Sequence, residues 1–435
     1  MSIFGSPRLI TERLFTDSNG SKNGVYSICS SNHYVIDAGM QVAKMNNSFL
    51  LLESTCNQVN QFGGYSGLTP KNFVNYLINI SRQNDFPLNK MILGGDHLGP
   101  YPWRNESSES ALEKAKKLVH DYVAAGFRKI HLDASMPCID DDKIMNKELS
   151  AIRAVNLCKV AESTLSKEEE PPLYVIGTEV PTPGGQSSNN EKVQITTYND
   201  ASETIEIFKS RFLHENLASA WDRVIALVVQ PGVDFNDSEI CEYDRVKVID
   251  LRKFIEGNNS QVFEAHSTDY QTKNNLRQMV EDKFSILKVG PALTFAFREI
   301  VFSLARIEEE LLQRNCDIHL SNIIKTISLE MDKKPDQWKS YVTQTNFDIE
   351  LSKLYGFSDR VRYYWNIPEV GKSLLRLIHN LENLSIPLSL LSQFSPLEYN
   401  KVRECNLLNT PRSLIKDHII NSLENYSFAC GFKNT

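Results

Sequence analysis

Residues 91–100 read MILGGDHLGP, and this stretch decides the fold assignment. A short apolar run leads into two glycines, an acid, a histidine and a Gly-Pro pair, a pattern typical of a buried strand that ends in a loop. Residues 106–125 follow with apolar side chains at helical spacing, and Gly126 ends that pattern. The stretch therefore predicts one strand-plus-helix unit of a parallel sheet.

Seven other short apolar runs along the chain have the same organisation. Together they predict strands near residues 24–29, 49–52, 91–98, 129–133, 173–177, 224–229, 262–265 and 286–289, each followed by a helical pattern. Eight such units favour an α/β protein with a (β/α)8 TIM barrel, because no G-x-G-x-x-G opens a helix after the first strand. We expect the barrel in residues 1–315 and a mainly helical extension, packed on it, in residues 316–435.

Charge and cysteine usage exclude several other classes of protein. The net charge is −7 and the lysines and arginines are scattered, which argues against a nucleic-acid partner. The eight cysteines have no C-x-x-C spacing, so reduced thiols are expected in place of a disulfide framework or a zinc ribbon. No secretion signal or long apolar run appears, and a cytoplasmic protein without a membrane partner is the expectation.

Polar side chains follow nearly every predicted strand. In this fold the active site lies at the carboxyl ends of the strands, so these residues are the site candidates. They are Glu53, Asp96, His97, His131, Asp133, Glu179, Gln230, His266 and Lys288.

Three of these candidates suit a divalent metal. His97, Glu179 and His266 offer nitrogen and carboxylate ligands for zinc, manganese or nickel. Such an ion polarises a ketose carbonyl, and Asp96 beside His97 would then move a proton. Glu53 and Asp133 are further catalytic candidates. A lone strand-end histidine is more often a hydrogen-bonded structural residue, and His131 stays open between the barrel interior and its mouth.

A sugar-phosphate site is predicted beside the metal candidates. Lys288 and Gly290 precede a helix N-terminus, where backbone N–H groups favour an anion, and Ser267 lies in the opposite turn. Asn60, from an amide-rich loop, and Gln230 complete the predicted set. A simple capped turn explains the same residues equally well, and no G-x-x-x-x-G-K-[ST] motif supports a P-loop kinase.

Several longer strings carry a family resemblance over nearly the whole chain. They include QVNQFGGYSGLTP (58–70), GGDHLGPYPW (94–103), GTEVPTPGG (177–185), FEAHSTDYQT (263–272) and SDRVRYYW (358–365). They resemble the GatZ/KbaZ family, the second subunits of class II D-tagatose-1,6-bisphosphate aldolase. The resemblance implies an accessory subunit that supports the activity and stability of a catalytic aldolase subunit in tagatose 6-phosphate breakdown, from galactitol or N-acetylgalactosamine.

The alternative implied by the resemblance is an enzyme that acts alone. Some relatives are metal-dependent ketose-6-phosphate 4-epimerases, which interconvert tagatose 6-phosphate and fructose 6-phosphate, and an aldolase acting alone is the other form of this hypothesis. Asp96 is then the acid and base. The oligomeric state stays open, a homo-oligomer included.

A more distant likeness to class II aldolases bears on the metal. Asp96 and His97 resemble their pair of proton carrier and metal ligand, and His266 resembles their late histidine. Their middle metal histidine has no counterpart, because Gln230 stands at that position. We therefore expect the three-histidine zinc site to be lost, and the accessory subunit is the favoured hypothesis.

Overall fold

Eight parallel strands form a closed barrel in this protein. The computed structural model describes residues 3–15, 23–143, 145–178, 193–256, 258, 260–314, 317–339, 341, 349–382 and 384–432. The barrel strands are β1 Val25–Cys29, β2 Leu50–Thr55, β3 Met91–Leu98, β4 Lys129–Leu132, β5 Leu173–Ile176, β6 Val224–Val229, β7 Val262–Ala265 and β8 Ile286–Val289. The first strand pairs with the second and the last, which closes the sheet and confirms the predicted TIM barrel.

Helices surround the barrel and continue beyond it. They are α1 Arg8–Phe15, α2 His33–Met45, α3 Pro70–Gln83, α4 Ser108–Ala124, α5 Lys147–Thr164, α6 Tyr198–His214, α7 Ala218–Trp221, α8 Ile249–Glu256, α9 Lys273–Glu281, α10 Pro291–Leu312, α11 Ile323–Lys333, α12 Ile349–Tyr355, α13 Pro368–Glu382, α14 Leu388–Phe394, α15 Pro396–Arg403 and α16 Pro411–Ala429. The Thr69 hydroxyl caps α3 with Pro70 at its first position. Two short antiparallel strands, Asp234–Phe235 and Ile240–Cys241, form a separate hairpin.

The interior of the barrel has an apolar floor. Val25, Leu51, Ile92 and Ile286, from the amino-terminal parts of four strands, belong to one buried cluster, and Ile10 of α1 joins it. A second and larger cluster fills the space between the outer face of the sheet and the helices. The strands are therefore buried on both faces, as their continuous apolar runs predict.

The residues after the last barrel strand form helices and 3-10 turns in the described part of the chain. Among these helices, α16 packs against α2, α9 and α10 and so bridges the first and last units of the barrel. The 3-10 helix Arg360–Tyr363 lies beside the barrel mouth. The boundary near residue 315 stays a prediction.

Two further features concern the state of the cysteines and the character of the helices. Every cysteine that the structure describes is a free thiol. None of the described helices combines the length and apolar character needed to cross a bilayer.

Candidate metal centre at the barrel mouth

A bulge at the end of β3 aims two adjacent side chains into the same cavity. Neighbouring residues of a regular strand face opposite sides, so Asp96 and His97 would separate. The pairing of β3 with β4 shifts register between Gly95 and Leu98, and His97 has a left-handed φ of 50°. Both side chains consequently line the mouth. A non-glycine residue held there stores backbone strain, which is commonest at functional sites.

Two buried carboxylates orient the histidines on either side of the mouth. Asp133 Oδ2 lies 2.7 Å from His97 Nδ1, and Glu264 Oε1 lies 3.0 Å from His266 Nε2. Each carboxylate favours a proton on the ring nitrogen it contacts, which leaves a lone pair on the other nitrogen. Those other nitrogens, His97 Nε2 and His266 Nδ1, face each other at 3.2 Å.

His131 supplies a third imidazole to this group. Its Nδ1 lies 3.0 Å from Asp96 Oδ1, and its fully buried Nε2 has no hydrogen-bond partner in the part of the chain that the structure describes. The His131 ring centroid is 5.1 Å from that of His97 and 5.2 Å from that of His266. An unpaired buried nitrogen costs free energy, and a bound ion would offset that cost.

These donors fit a divalent metal. One potential ligand atom from each of Asp96, His97, His131 and His266 lies within 4.8 Å of all the others. Two nitrogens that share a tetrahedral zinc ion at about 2.1 Å lie about 3.4 Å apart, close to the 3.2 Å between His97 and His266. His131 thus brings a third imidazole to this group from a strand other than the one that precedes Gln230.

A layer of buried charges lies directly beneath these donors. Lys129 Nζ is 2.7 Å from Glu53 Oε1 and 2.6 Å from Glu264 Oε2, and none of the three side chains is exposed. Lys288 pairs with Glu53 and lies 3.1 Å from Asp96 Oδ1. Burial lowers the pKa of Lys129, but Glu264 and Glu53 outweigh that effect and raise it above its ordinary value.

The acidic and basic side chains around the three histidines carry more negative than positive charge. Glu53, Asp96, Asp133 and Glu264 contribute four negative charges, and the two lysines contribute two positive charges. With neutral imidazoles the group carries a net charge of −2, which a divalent ion would offset. This imbalance is a second reason why the residues fit a metal.

Asp96 is held in its ionised form. Burial raises the pKa of its carboxyl, yet Lys288, His97, His266 and a hydrogen bond with His131 hold that pKa well below its usual range. Asp133 is also ionised, because the hydrogen bond and charge of His97 lower its pKa despite burial. Asp96 lines the cavity, whereas Asp133 contacts and orients His97.

The cavity above the donors encloses about 730 Å³ of empty space, which includes open solvent at its mouth. Among the predicted phosphate-binding residues, Ser267, Lys288 and Gly290 line it. Lys288 is engaged by carboxylates, and the Gly290 N–H donates to Asp269 Oδ1 at 3.0 Å. The Asp269 carboxylate therefore already occupies the position at this helix N-terminus where a bound anion would lie.

The other predicted site residues make local contacts. Asn60 is buried and donates to the Cys56 carbonyl, and its side-chain oxygen accepts from Phe62 and Gly64. Gln230 accepts from the Gly232 N–H and does not line the cavity. Glu53 belongs to the charge layer below the mouth. Glu179 lies outside the described residues, so its predicted metal role stays a prediction.

Several residues at the candidate site were not predicted from the sequence. Glu264 and His266 are two residues apart and share the inner face of the sheet, as do Lys129 and His131. A charged residue inside an otherwise apolar strand was the available signal for both Glu264 and Lys129. Arg362 and Tyr363 also line the cavity, but they come from the extension and no local pattern identifies them.

Comparison with known proteins agrees with this architecture. The family model for the D-tagatose-1,6-bisphosphate aldolase subunit GatZ/KbaZ-like family matches residues 10–431. A crystal structure described as a probable tagatose 6-phosphate kinase from Sinorhizobium meliloti 1021 is 36% identical, with a TM-score of 0.86, and the match covers 94% of this chain and 100% of that chain.

Two more distant structures are also similar to this chain. The fructuronate-tagaturonate epimerase UxaE from Cohnella laeviribosi has a TM-score of 0.47 at 13% identity, covering 97% of this chain and 85% of that one. The YdjI aldolase from Escherichia coli K12 has a TM-score of 0.42 at 10% identity, covering 83% and 98%. The family match and the 36% identical structure show that the chain belongs to the D-tagatose-1,6-bisphosphate aldolase subunit GatZ/KbaZ-like family.

Proposed function

We propose that this chain is a metal-dependent enzyme that acts on a ketose 6-phosphate, as a 4-epimerase between tagatose 6-phosphate and fructose 6-phosphate. The observation that carries the proposal is the convergence of His97, His131 and His266 beside an ionised Asp96. A barrel mouth with only a structural role has no need of a buried, unpaired His131 nitrogen. Membership in an aldolase-related family supports chemistry on this class of sugar.

The residues divide the chemistry between them. His97, His131 and His266 would hold the ion, with Asp133 and Glu264 fixing the rings of His97 and His266. When bound, the ion supplies a Lewis acid for the ketose carbonyl. Asp96 accepts the proton of the C4 hydroxyl while the C3–C4 bond breaks, which gives an aldehyde and an enediolate.

Epimerisation follows from the same groups in reverse. The aldehyde turns its other face to the enediolate, the C3–C4 bond forms again, and Asp96 returns the proton to the C4 oxygen. Lys288, 3.1 Å from Asp96 Oδ1, keeps the carboxylate ionised before the first proton transfer and favours its return to that form in the second. Release of the aldehyde at the middle of this sequence would be an aldolase reaction, so one site serves both alternatives.

The test is turnover by the purified full-length chain alone. Metal content is measured first, and tagatose 6-phosphate is then supplied with zinc, manganese or nickel while fructose 6-phosphate is followed. We expect Asp96→Asn to lower turnover by at least about 100-fold, the usual contribution of a positioned acid or base, with metal content unchanged. We expect His131→Ala to lose bound metal.

His120→Ala is the matched control, because His120 is half exposed on α4 and pairs with its neighbour Asp121. It should change neither metal content nor turnover. Wild-type protein that loads no metal and converts neither sugar phosphate would refute the enzymatic proposal.

A second candidate is the accessory subunit of a class II tagatose-bisphosphate aldolase, favoured by the description of the family as an aldolase subunit. It predicts that co-expression with a cognate catalytic subunit raises that subunit's activity or half-life. Asp96→Asn would leave this support intact if the role is structural. Equal support from wild type and variant, with no turnover by the chain alone, would select this candidate over the epimerase.

A further inference from the structure

Residues 356–363 of the extension are fixed against the barrel mouth. Asp359, with a left-handed φ of 43°, opens the 3-10 helix Arg360–Tyr363. Its buried carboxylate accepts from the Thr294 hydroxyl of α10 at 2.5 Å and lies 3.5 Å from Arg298 Nε. The Tyr270 hydroxyl, from the loop after β7, donates to the Phe357 carbonyl at 2.5 Å. The segment is thus anchored to two barrel elements.

This anchored segment places a buried cation at the edge of the cavity. Arg362 is only 9% exposed, and its side chain lines the cavity. Nη1 donates to the Ser358 and Asp359 carbonyls, and Nη2 donates to the Tyr363 hydroxyl at 2.8 Å. No carboxylate of the described residues lies within 4 Å of this guanidinium. Asp359 and Asp269 attract this cation at longer range, and a ligand anion would supply the close ion pair that it lacks in the described chain.

The neighbouring groups explain why an anion would need Arg362. Asp269 Oδ1 accepts from the Gly290 and Ala292 N–H groups at 3.0 and 2.8 Å, so it occupies the N-terminus of α10. Lys288 is neutralised by Glu53 and Asp96. Of the two non-histidine cations that line the cavity, Arg362 is therefore the one without a carboxylate partner in the described chain.

The guanidinium is also held in place for recognition. Tyr363, which accepts from Arg362, has its ring 4.6 Å from the ring of Tyr65 in the loop after β2. A guanidinium has five N–H donors, and described partners account for three of those of Arg362. Two donors remain, the number that a planar guanidinium uses to grip a phosphate.

We infer that Arg362, delivered by the extension, binds the phosphate group of the substrate at the barrel mouth. The inference rests on the proposed function for the identity of the ligand, a ketose 6-phosphate. The barrel strands supply the groups that act on the sugar, and the extension supplies the group that recognises its phosphate. A sugar without a phosphate leaves Arg362 without a close ion pair, so the site discriminates against it.

The experiment measures binding and does not depend on turnover. The full-length chain is titrated calorimetrically with tagatose 6-phosphate and, separately, with tagatose. Wild type should bind the phosphate ester at least about 10-fold more tightly than the free sugar, since charge-assisted hydrogen bonds are being made. Arg362→Met should weaken binding of the ester by about 10- to 100-fold and leave binding of tagatose and metal content unchanged.

Arg360→Met is the matched control. Arg360 lies two residues away on the same 3-10 helix and is equally buried, but it stacks on Tyr341 and does not line the cavity. It should bind the ester like wild type. Equal losses in the two variants would overturn the inference, because the effect would then come from the segment's folding.

Arg362→Lys keeps the charge without the fork of donors and should bind the ester more weakly than wild type but more tightly than Arg362→Met. If Arg362→Met does not fold, the wild-type preference for the ester and the Arg362→Lys loss decide the question. Wild type that binds tagatose as tightly as its phosphate overturns the inference. Ester binding that depends on Arg362 in a chain without turnover would sustain the inference while the epimerase proposal fails.

Discussion

The floor and the mouth of this barrel are filled by different kinds of side chain, aliphatic at the floor and charged toward the mouth. The floor is filled by aliphatic side chains from the amino-terminal parts of the strands, with Ile10 of α1 beneath them. One layer higher, the interior holds Lys129, Glu53 and Glu264 with no solvent exposure. Apolar packing stabilises the floor directly, whereas a buried charge layer adds little net stability over an apolar one. The difference teaches that the upper layer serves the site.

The largest expected effect comes from breaking the charge layer. Lys129→Met removes one of the two lysines that Glu53 and Glu264 share and should lower the free energy of unfolding by about 3–5 kcal/mol. Ile92→Val in the floor should cost about 1 kcal/mol. Urea denaturation of both variants tests the contrast. If Lys129→Met lowered the free energy of unfolding no more than Ile92→Val does, Lys129 would not be needed to neutralise Glu53 and Glu264.

A smaller loss of stability is expected from adding a methyl group at Gly94, beside the charge layer. Gly94 lies between Glu53 and Lys129 in the register of β2, β3 and β4, and a Cβ there would stand 2.5 Å from Glu53 Cγ. Gly94→Ala should therefore destabilise the protein by about 1–3 kcal/mol in thermal or urea unfolding.

Gly371 offers the matched comparison for that substitution. It lies within α13, and nothing would contact an added Cβ within 4 Å. Gly371→Ala should stabilise the protein by about 0.5–1 kcal/mol, because alanine favours a helix over glycine. The same sign for both substitutions would mean that Glu53 moves aside freely.

The last expected effect concerns the pH dependence of stability and Asp269 at the mouth. Burial raises the pKa of this carboxyl to about 6, although the Ala292 and Gly290 N–H groups oppose the change. Between about pH 4 and pH 6 the unfolded chain loses this proton before the folded chain does, so the folded state loses stability as the pH rises. Asp269→Asn should gain about 1–2 kcal/mol over wild type at pH 7.5 and nothing at pH 4. An equal difference at both pH values would contradict this assignment.

The sequence predicts the floor of the barrel better than its mouth. Continuous apolar runs such as residues 224–229 identify strands buried on both faces, and Thr69-Pro70 marks the start of α3 as observed. These features are local. The barrel follows from them because strands that alternate with helices pair in parallel.

The mouth depends on contacts that local patterns do not carry. Asp96 and His97 were identified as a pair, but the bulge that points both into the cavity is a property of the β3–β4 register. His131 could not be assigned, because the stagger of a barrel decides which inward residue reaches the mouth. Lys129 meets Glu264 across 135 positions of sequence, and neither strand pairs directly with the other. Only the closed fold brings such groups together.

The packing of α16 across α2, α9 and α10 has a consequence for how the chain is made on the ribosome. The first and last strands pair only after the eighth has emerged, and α16 joins the outer helices of those units later still. Arg362 also follows every barrel strand in the order of synthesis. The strand residues that line the barrel mouth are thus synthesised well before Arg362 and α16, so the mouth is completed late in translation.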